Sequence, residues 1–197
     1  MLVHRGWGND AVVALTWVRD FVEKRVYPVH RLDRGTSGVL VFALSTVAAS
    51  ALSEQFAAGK ATKRYLALVR GVAPEHGVID HPIPRREGGP RVSAVTEFRR
   101  VAVSGRYSLV EATPRTGRLH QVRRHLKHIS HPIIGDVNYG KGEHNRLFRE
   151  QHGLMRLALH AAMLELLHPT SHQPILLSAP VPRDLAEPLQ SAGFRLG

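Results

Sequence analysis

The run Pro28-Val29-His30-Arg31-Leu32-Asp33-Arg34-Gly35-Thr36-Ser37-Gly38 places one carboxylate between two guanidinium groups. Such neighbours favour the ionised form of Asp33, and Arg31 and Arg34 can also contact phosphates. An Arg–Asp–Arg pairing at a surface turn adds little stability by itself. A lone carboxylate kept charged inside a phosphate-binding surface is an unusual arrangement for stability alone.

A second basic segment is Thr116-Gly117-Arg118-Leu119-His120-Gln121-Val122-Arg123-Arg124-His125-Leu126. Leu119, Val122, Leu126 and Ile129 fall on one stripe at three- and four-residue steps, which predicts a helix from the Thr116-Gly117 turn to residue 129. Arg118, Gln121, Arg124 and Lys127 lie nearer the other sides, where Arg118 and Arg124 suit phosphates. Arg123 borders the apolar stripe and needs a buried partner, for which Asp33 is the candidate. His120, His125, His128 and His131 are spread around this helix and past its end. With no H-E-x-x-H pair and no cysteine, they read as phosphate contacts or caps rather than a metal site.

The elements that position these groups follow from periodicity and turn residues. Apolar residues at helical spacing predict a helix over residues 11–24 whose stripe packs on the core. The turn after Asp33 feeds a buried strand over residues 39–44. Ser45 caps a helix over residues 46–58 that Gly59 stops. Strands are predicted at residues 62–69, 93–102, 107–112, 156–168 and 175–179, with a hairpin turn at Ser104-Gly105-Arg106. Residues 72–91 read as a loop with one short strand near 77–81, and Arg85, Arg86 and Arg91 there can meet phosphates. Residues 137–153 read as a loop, and residues 183–191 as a short helix. Tyr65, within the strand at 62–69, would on propensity alone be packing.

The bulk numbers bound the class. A chain of 197 residues, 43% hydrophobic and 22% charged, predicts one globular domain over residues 1–197. No apolar run approaches the roughly 20 residues that cross a bilayer, and no signal-peptide pattern opens the chain. Absent cysteine rules out disulfides and thiolate metal sites, and fits a cytoplasmic protein. The net charge is 27 − 16 = +11, with a pI of about 11.0, so the expected partner is nucleic acid rather than a membrane. No protein partner is indicated.

The run H-R-L-D-R-G-T-S-G resembles the catalytic-aspartate motif of the RluA-type pseudouridine synthases. Lys63-Arg64-Tyr65, the segment 116–126, His131-Pro132-Ile133-Ile134-Gly135-Asp136 and R-L-x-L-H-A at 156–161 are similar to further motifs of that family. The resemblance implies that Asp33 is the catalytic aspartate and that Tyr65 stacks beside the target base. It gives Arg123, with Arg118 as second choice, the salt bridge to Asp33, and has Arg31 fill the gap left by a flipped base. Arg34, Arg118, His120 and Arg124 complete the expected RNA contacts. The implied reaction is isomerisation of a uridine to pseudouridine, with no metal or organic cofactor.

Tyr139, Gly140, Asn145 and Arg146 look most like the branch that modifies the TψC arm of transfer RNA, with ribosomal RNA as second choice. The expected architecture is α+β: a mixed, mainly antiparallel sheet with flanking helices and a central basic cleft. Family members begin with a strand carrying N-K-P-x-G ahead of the segment matching Leu2-Val3-His4-Arg5, and this chain is expected to be short of it. Two rival readings are a non-catalytic RNA-binding protein of the same fold and a metal-dependent hydrolase built on the histidines.

Overall fold

Long strands with apolar residues form the centre of the molecule, which is described here by a computed structural model over residues 14–85 and 88–196. The strands are β1 (Tyr27–Pro28), β2 (Ser37–Gly38), β3 (Phe42–Ala43), β4 (Thr62–Arg70), β5 (His76–Asp80), β6 (Ile83–Pro84), β7 (Arg91–Val92), β8 (Val95–Ser104), β9 (Tyr107–Pro114), β10 (Leu159–Leu167) and β11 (Pro174–Ser178). The helices are α1 (Ala14–Val22), α2 (Thr46–Ala57), α3 (Gln121–His128), α4 (Gly142–His152) and α5 (Arg183–Ser191).

The main sheet runs β11-β10-β4-β9-β8-β5, antiparallel throughout, and β2 joins β10 in parallel. The sheet is therefore mixed and mainly antiparallel, and the class is α+β. β4 lies in its interior, paired on both sides. Its Leu68 and Val69 pack with Val110, Leu126, Ile133, Phe148, Leu185 and Leu189 into the larger core. A smaller core gathers Ala43, Leu52, Ala61, Leu164 and Leu166 beneath α2. A bulge between Ala161 and Met163 separates Leu159, in the larger core, from Leu164 and Leu166, in the smaller one.

Local chemistry explains α2. The Ser45 hydroxyl accepts from the amide of Ala48, and Gly59 takes φ +68 just beyond the end.

Other expectations need correction. The apolar run 39–44 is not one buried strand. Its donors go to separate acceptors: Val39 N donates to the Ala161 carbonyl and Val41 N to His30 Nε2, and only Phe42–Ala43 pairs with β1. Leu44 is exposed. A short apolar run has no period that tells a strand from a linker packed by its side chains.

The segment 137–153 is not all loop, because it holds α4. That helix has a single adjacent apolar pair, Leu147-Phe148, so its sequence shows no stripe. It docks through fully buried Phe148 and ends at Gly153 with φ +71. The loop 72–91 contains the ribbon β6–β7 in addition to β5. The helix predicted from Thr116-Gly117 begins only at Gln121.

In α1 the predicted stripe is only partly used. Leu15, Val18 and Val22 are half-buried, whereas Phe21 is 76% exposed and stacks on Trp17 at 5.7 Å. The start of that helix at residues 11–13, and the expectation about the chain's opening strand, lie outside the described residues. No helix among the described residues is long and apolar enough to cross a membrane.

Candidate active site

Asp33 sits in the turn between β1 and β2. Its carbonyl accepts from Thr36 N at 2.9 Å, and Gly35 takes φ +85, so the chain reverses beside the carboxylate. The far end of the turn is fixed by Ser37 and Gly38, which pair with His160 and Ala161. Gly38 has φ +118, and a Cβ there would collide with the Ala161 carbonyl, so only glycine fits. Ser37 and buried His160 add a side-chain hydrogen bond of 2.8 Å.

The carboxylate of Asp33 is 21% exposed and lines a cleft of about 430 Å³. Arg31, Lys63, Tyr65, Arg118 and His120 line the same cleft. Tyr65 comes from β4 and is paired with Ala161 on one side and Ala112 on the other. Small neighbours on both strands leave the ring room for a planar ligand. Burial, and then the nearby Asp33 carboxylate, push the Tyr65 phenol well above its ordinary pKa, so it stays neutral.

Arg123 reaches Asp33 from α3, with Nη1 donating to Oδ2 at 3.4 Å. Its principal partner is different from the one expected. Nε donates to Asp136 Oδ2 at 2.7 Å, and Nη2 donates to Asp136 Oδ1 at 2.9 Å. The Asp136 side chain is fully buried, and its Oδ1 also accepts from the amides of Asn138 and Tyr139. Burial alone would raise the Asp136 carboxyl. The Arg123 guanidinium and those two amides outweigh it and hold the carboxyl below the usual carboxylate range. Burial likewise opposes the Arg123 charge, and the two carboxylates more than offset it.

The remaining expected site residues divide. Arg31 and Arg118 are exposed on the cleft, and Arg118 Nε donates to the Ser93 carbonyl at 3.3 Å. His120 Nε2 lies 4.0 Å from Asp33 Oδ1. Arg34 is exposed and is not part of the lining. Arg124 also stands outside it, donating from Nε to the Tyr139 hydroxyl at 2.9 Å. Arg91 donates to the Pro82 carbonyl and meets His81, while Arg86 lies outside the described residues.

Gln121, placed on a polar side by the sequence, is buried. It accepts from Thr116 Oγ1 and Arg118 N and donates to the Val95 carbonyl and Thr96 Oγ1, which fixes the turn that brings Arg118 and His120 to the cleft. His125 is buried between Thr96 Oγ1 and the His81 carbonyl, His128 stacks on His81, and His131 Nδ1 bonds the Arg70 carbonyl.

Sequence reasoning missed three contributors. Asp136 has no role in the sequence expectation, although an acid directly after Ile133-Ile134-Gly135 is a signal for a buried ion pair. Lys63 lines the cleft, and burial lowers its pKa. His30 accepts from Val41 N, stacks on Phe56 at 4.7 Å, and is pushed down to about 4 by burial and then by Lys63.

A carboxylate gripped by a buried arginine, beside an aromatic platform in a cationic cleft, can react with a sugar while a base lies on the ring. Residues 1–128 match the family model described as RNA pseudouridylate synthase. The chain is 42% identical over 202 residues to tRNA pseudouridine synthase C of Vibrio cholerae, covering 91% of this chain and 83% of that relative. It is 44% identical over 201 residues to tRNA pseudouridine synthase C of Haemophilus ducreyi, with the same coverage of 91% and 83%. Among solved structures, Human RNA Pseudouridylate Synthase Domain Containing 4 superposes with a TM-score of 0.81 at 25% identity, covering 100% of this chain and 87% of that one. Human RNA Pseudouridylate Synthase Domain Containing 1 gives 0.75 at 26% identity, covering 92% and 83%. The chain belongs to the RNA pseudouridylate synthase family and is an RluA-type isomerase that acts on uridine in RNA.

Proposed function

We propose that this protein converts one uridine of transfer RNA, in the TψC arm, into pseudouridine, with Asp33 as the reacting carboxylate. The observation that carries the assignment of Asp33 is its position, bonded to Arg123 and lining one cleft with Tyr65. The transfer RNA substrate is supported by the names of the relatives at 42% and 44% identity. Ribosomal RNA is the second candidate. Cysteine-free composition suits the cytoplasm, where we place the enzyme.

The glycosidic bond cannot be reached inside a stacked helix, so the uridine is flipped out. A cleft of about 430 Å³ is of the size that holds one nucleoside-sized ligand. Arg31 at its rim takes the place of the extruded base, and Arg118 meets the backbone phosphates. The uracil lies on Tyr65, whose neutral phenol sits away from solvent. Asp33 either attacks C1′ and is displaced from it when C5 attacks there, or takes the C2′ proton and returns it when the C5–C1′ bond forms. The N1–C1′ bond breaks, the base turns, and a C5–C1′ bond forms. The C5 proton leaves and N1 gains one, so atoms balance with no co-reactant. Arg123 keeps the carboxylate oriented throughout.

Carbodiimide-block primer extension on transfer and ribosomal RNA tests this reading, using the intact protein and Asp33→Asn. The expected result is a new stop in the TψC arm with the intact protein alone. A stop confined to ribosomal RNA would replace the substrate, and equal stops with Asp33→Asn would remove Asp33 from the chemistry.

A further inference from the structure

Behind Asp33 lies a group of side chains that the proposed chemistry does not use. Tyr139 follows the buried Asp136, whose Oδ1 accepts from the Tyr139 amide at 3.0 Å. The Tyr139 ring lies 5.0 Å from the guanidinium carbon of Arg123, 5.3 Å from that of Arg124 and 5.8 Å from Lys127 Nζ. Its hydroxyl oxygen accepts from Arg124 Nε at 2.9 Å and lies 3.0 Å from His120 Nδ1. His120 Nε2 is 4.0 Å from Asp33 Oδ1.

One donor in this chain is fixed: Arg124 Nε has a hydrogen to give and no lone pair to accept with, so the phenol oxygen receives from Arg124. When the phenol gives its own hydrogen to His120 Nδ1, a neutral His120 carries its single hydrogen on Nε2, the atom that faces Asp33. Burial favours this neutral form, against the pull of Asp33 and with Arg123 and Arg124. His120 itself is held at φ +53 at the start of α3, so ring and backbone are both constrained.

We propose that His120 and Tyr139 are positioning residues for the isomerisation: Tyr139 sets the His120 tautomer, and His120 Nε2–H orients Asp33 Oδ1 while Arg123 holds Oδ2. The inference rests on the reading of Asp33 as the reacting carboxylate. Arg123 holds Oδ2 at 3.4 Å, and His120 Nε2 stands 4.0 Å from Oδ1, a gap that a small closing movement converts into a hydrogen bond. Both residues lead back to Asp136, which accepts from Arg123 and, through the amide of Tyr139, places the phenol beside His120. Once His120 closes on Oδ1 both oxygens are assigned and the plane of the carboxylate is set, which is the condition for electrostatic preorganisation.

The test uses tritium release from transfer RNA transcribed with uridine labelled at C5. It compares the full chain with Tyr139→Phe, His120→Ala, His120→Gln and Asp33→Asn, with kcat normalised to the folded fraction of each. Tyr139→Phe keeps the ring among its three cations and deletes only the hydroxyl. It is expected to lower kcat about tenfold with KM within twofold, the cost of about 1.4 kcal/mol in the transition state. His120→Ala should fall further, and His120→Gln, whose amide donor replaces Nε2–H, should recover part of kcat. Wild-type kcat in Tyr139→Phe overturns the proposal. So does a loss confined to KM, which would make these residues RNA contacts, or a His120→Gln no better than His120→Ala. If Asp33→Asn turns over normally, the underlying reading of Asp33 fails; if it is dead while the other variants are unaffected, only the support chain fails.

Discussion

Arg123 donates to Asp136 at 2.7 and 2.9 Å and to Asp33 at 3.4 Å, so one guanidinium is anchored by a buried carboxylate and shared with one that lines the cleft. The two acids differ in burial: Asp136 is closed off from solvent and Asp33 opens onto the cleft. Under the proposed function, stability is assigned to the first acid and chemistry to the second, and the two meet at one arginine.

Removing Arg123 leaves Asp136 as a buried charge without its partner. Arg123→Ala and Asp136→Ala are each expected to lower unfolding free energy by about 3–5 kcal/mol in urea titrations. Arg123→Lys should rescue poorly, because an ammonium cannot span both Asp136 oxygens. Asp33→Asn, which disturbs only the longer contact, should cost under about 1 kcal/mol while abolishing turnover. Comparable destabilisation by Asp33→Asn and Asp136→Ala would contradict the separation of roles.

Acid should unfold the protein partly through Asp136. Its carboxyl lies below the ordinary range in the folded state, so the unfolded chain takes up the proton first as pH falls. The pair's contribution is complete above the unfolded value of about 4 and is lost as pH drops through the lower folded one. Asp136→Asn, less stable at neutral pH, should therefore show a flatter Tm profile below about pH 4 than the parent protein. A parallel profile would mean that the pair does not titrate with folding.

His30 acts in a higher window. Its folded pKa of about 4 lies below the ordinary imidazole value of 6.5, so the unfolded state again binds the proton first. Stability from neutral His30 is complete above about pH 6.5 and declines toward pH 4, by at most about 3 kcal/mol. His30→Gln keeps an acceptor for Val41 N and does not titrate. It should weaken the pH dependence between pH 4 and 6.5, as read by urea midpoints at fixed ionic strength. An unchanged slope would assign that window to the other buried histidines.

Backbone geometry gives a sharper test at Gly38. A methyl group there meets the Ala161 carbonyl at a positive φ, so Gly38→Ala should destabilise by roughly 2 kcal/mol or more. Because this pairing seats the Asp33 turn, kcat should fall in the fraction that remains folded. Gly105→Ala, at a hairpin turn where a Cβ meets open space, should leave kcat unchanged even though its φ of +53 carries some strain.

RNA affinity should fall steeply with salt, as expected for a chain of net charge +11. Arg31→Ala or Arg118→Ala should each reduce the magnitude of the log–log salt slope by about 1. Arg124→Ala should change that slope little, since its guanidinium is occupied by Tyr139. Filter binding at several potassium concentrations separates these outcomes.

How far the sequence disclosed this arrangement depends on the kind of signal each residue left. The long strands and α2 were legible because apolar alternation, Ser45 and Gly59 act locally. Asp33, Tyr65 and Arg123 were legible through long motifs, and the need of Arg123 for a buried acid followed from its place beside an apolar stripe. Which acid it meets was not, because Asp33 and Asp136 are ninety and thirteen residues away and nothing local ranks them. α4 escaped notice since tertiary docking through Phe148, rather than an apolar face, holds it. The tautomer chain through Tyr139 is a property of three-dimensional donors and acceptors that no spacing rule encodes.

The pairing of β2 with β10 has a consequence for how the protein comes to exist. Ser37 and His160 are 123 residues apart, and the turn that carries Asp33 is seated only when they meet. During synthesis the Asp33 carboxylate emerges early and waits, unsupported, while about three-quarters of the remaining chain is made. Contacts this distant in sequence form late and slowly. Nascent chains arrested before β10 leaves the ribosome should therefore carry every motif residue from Asp33 to Asp136 and still lack activity, which requires that residues 159–167 be free to pair and that α5 close the core with Leu185 and Leu189.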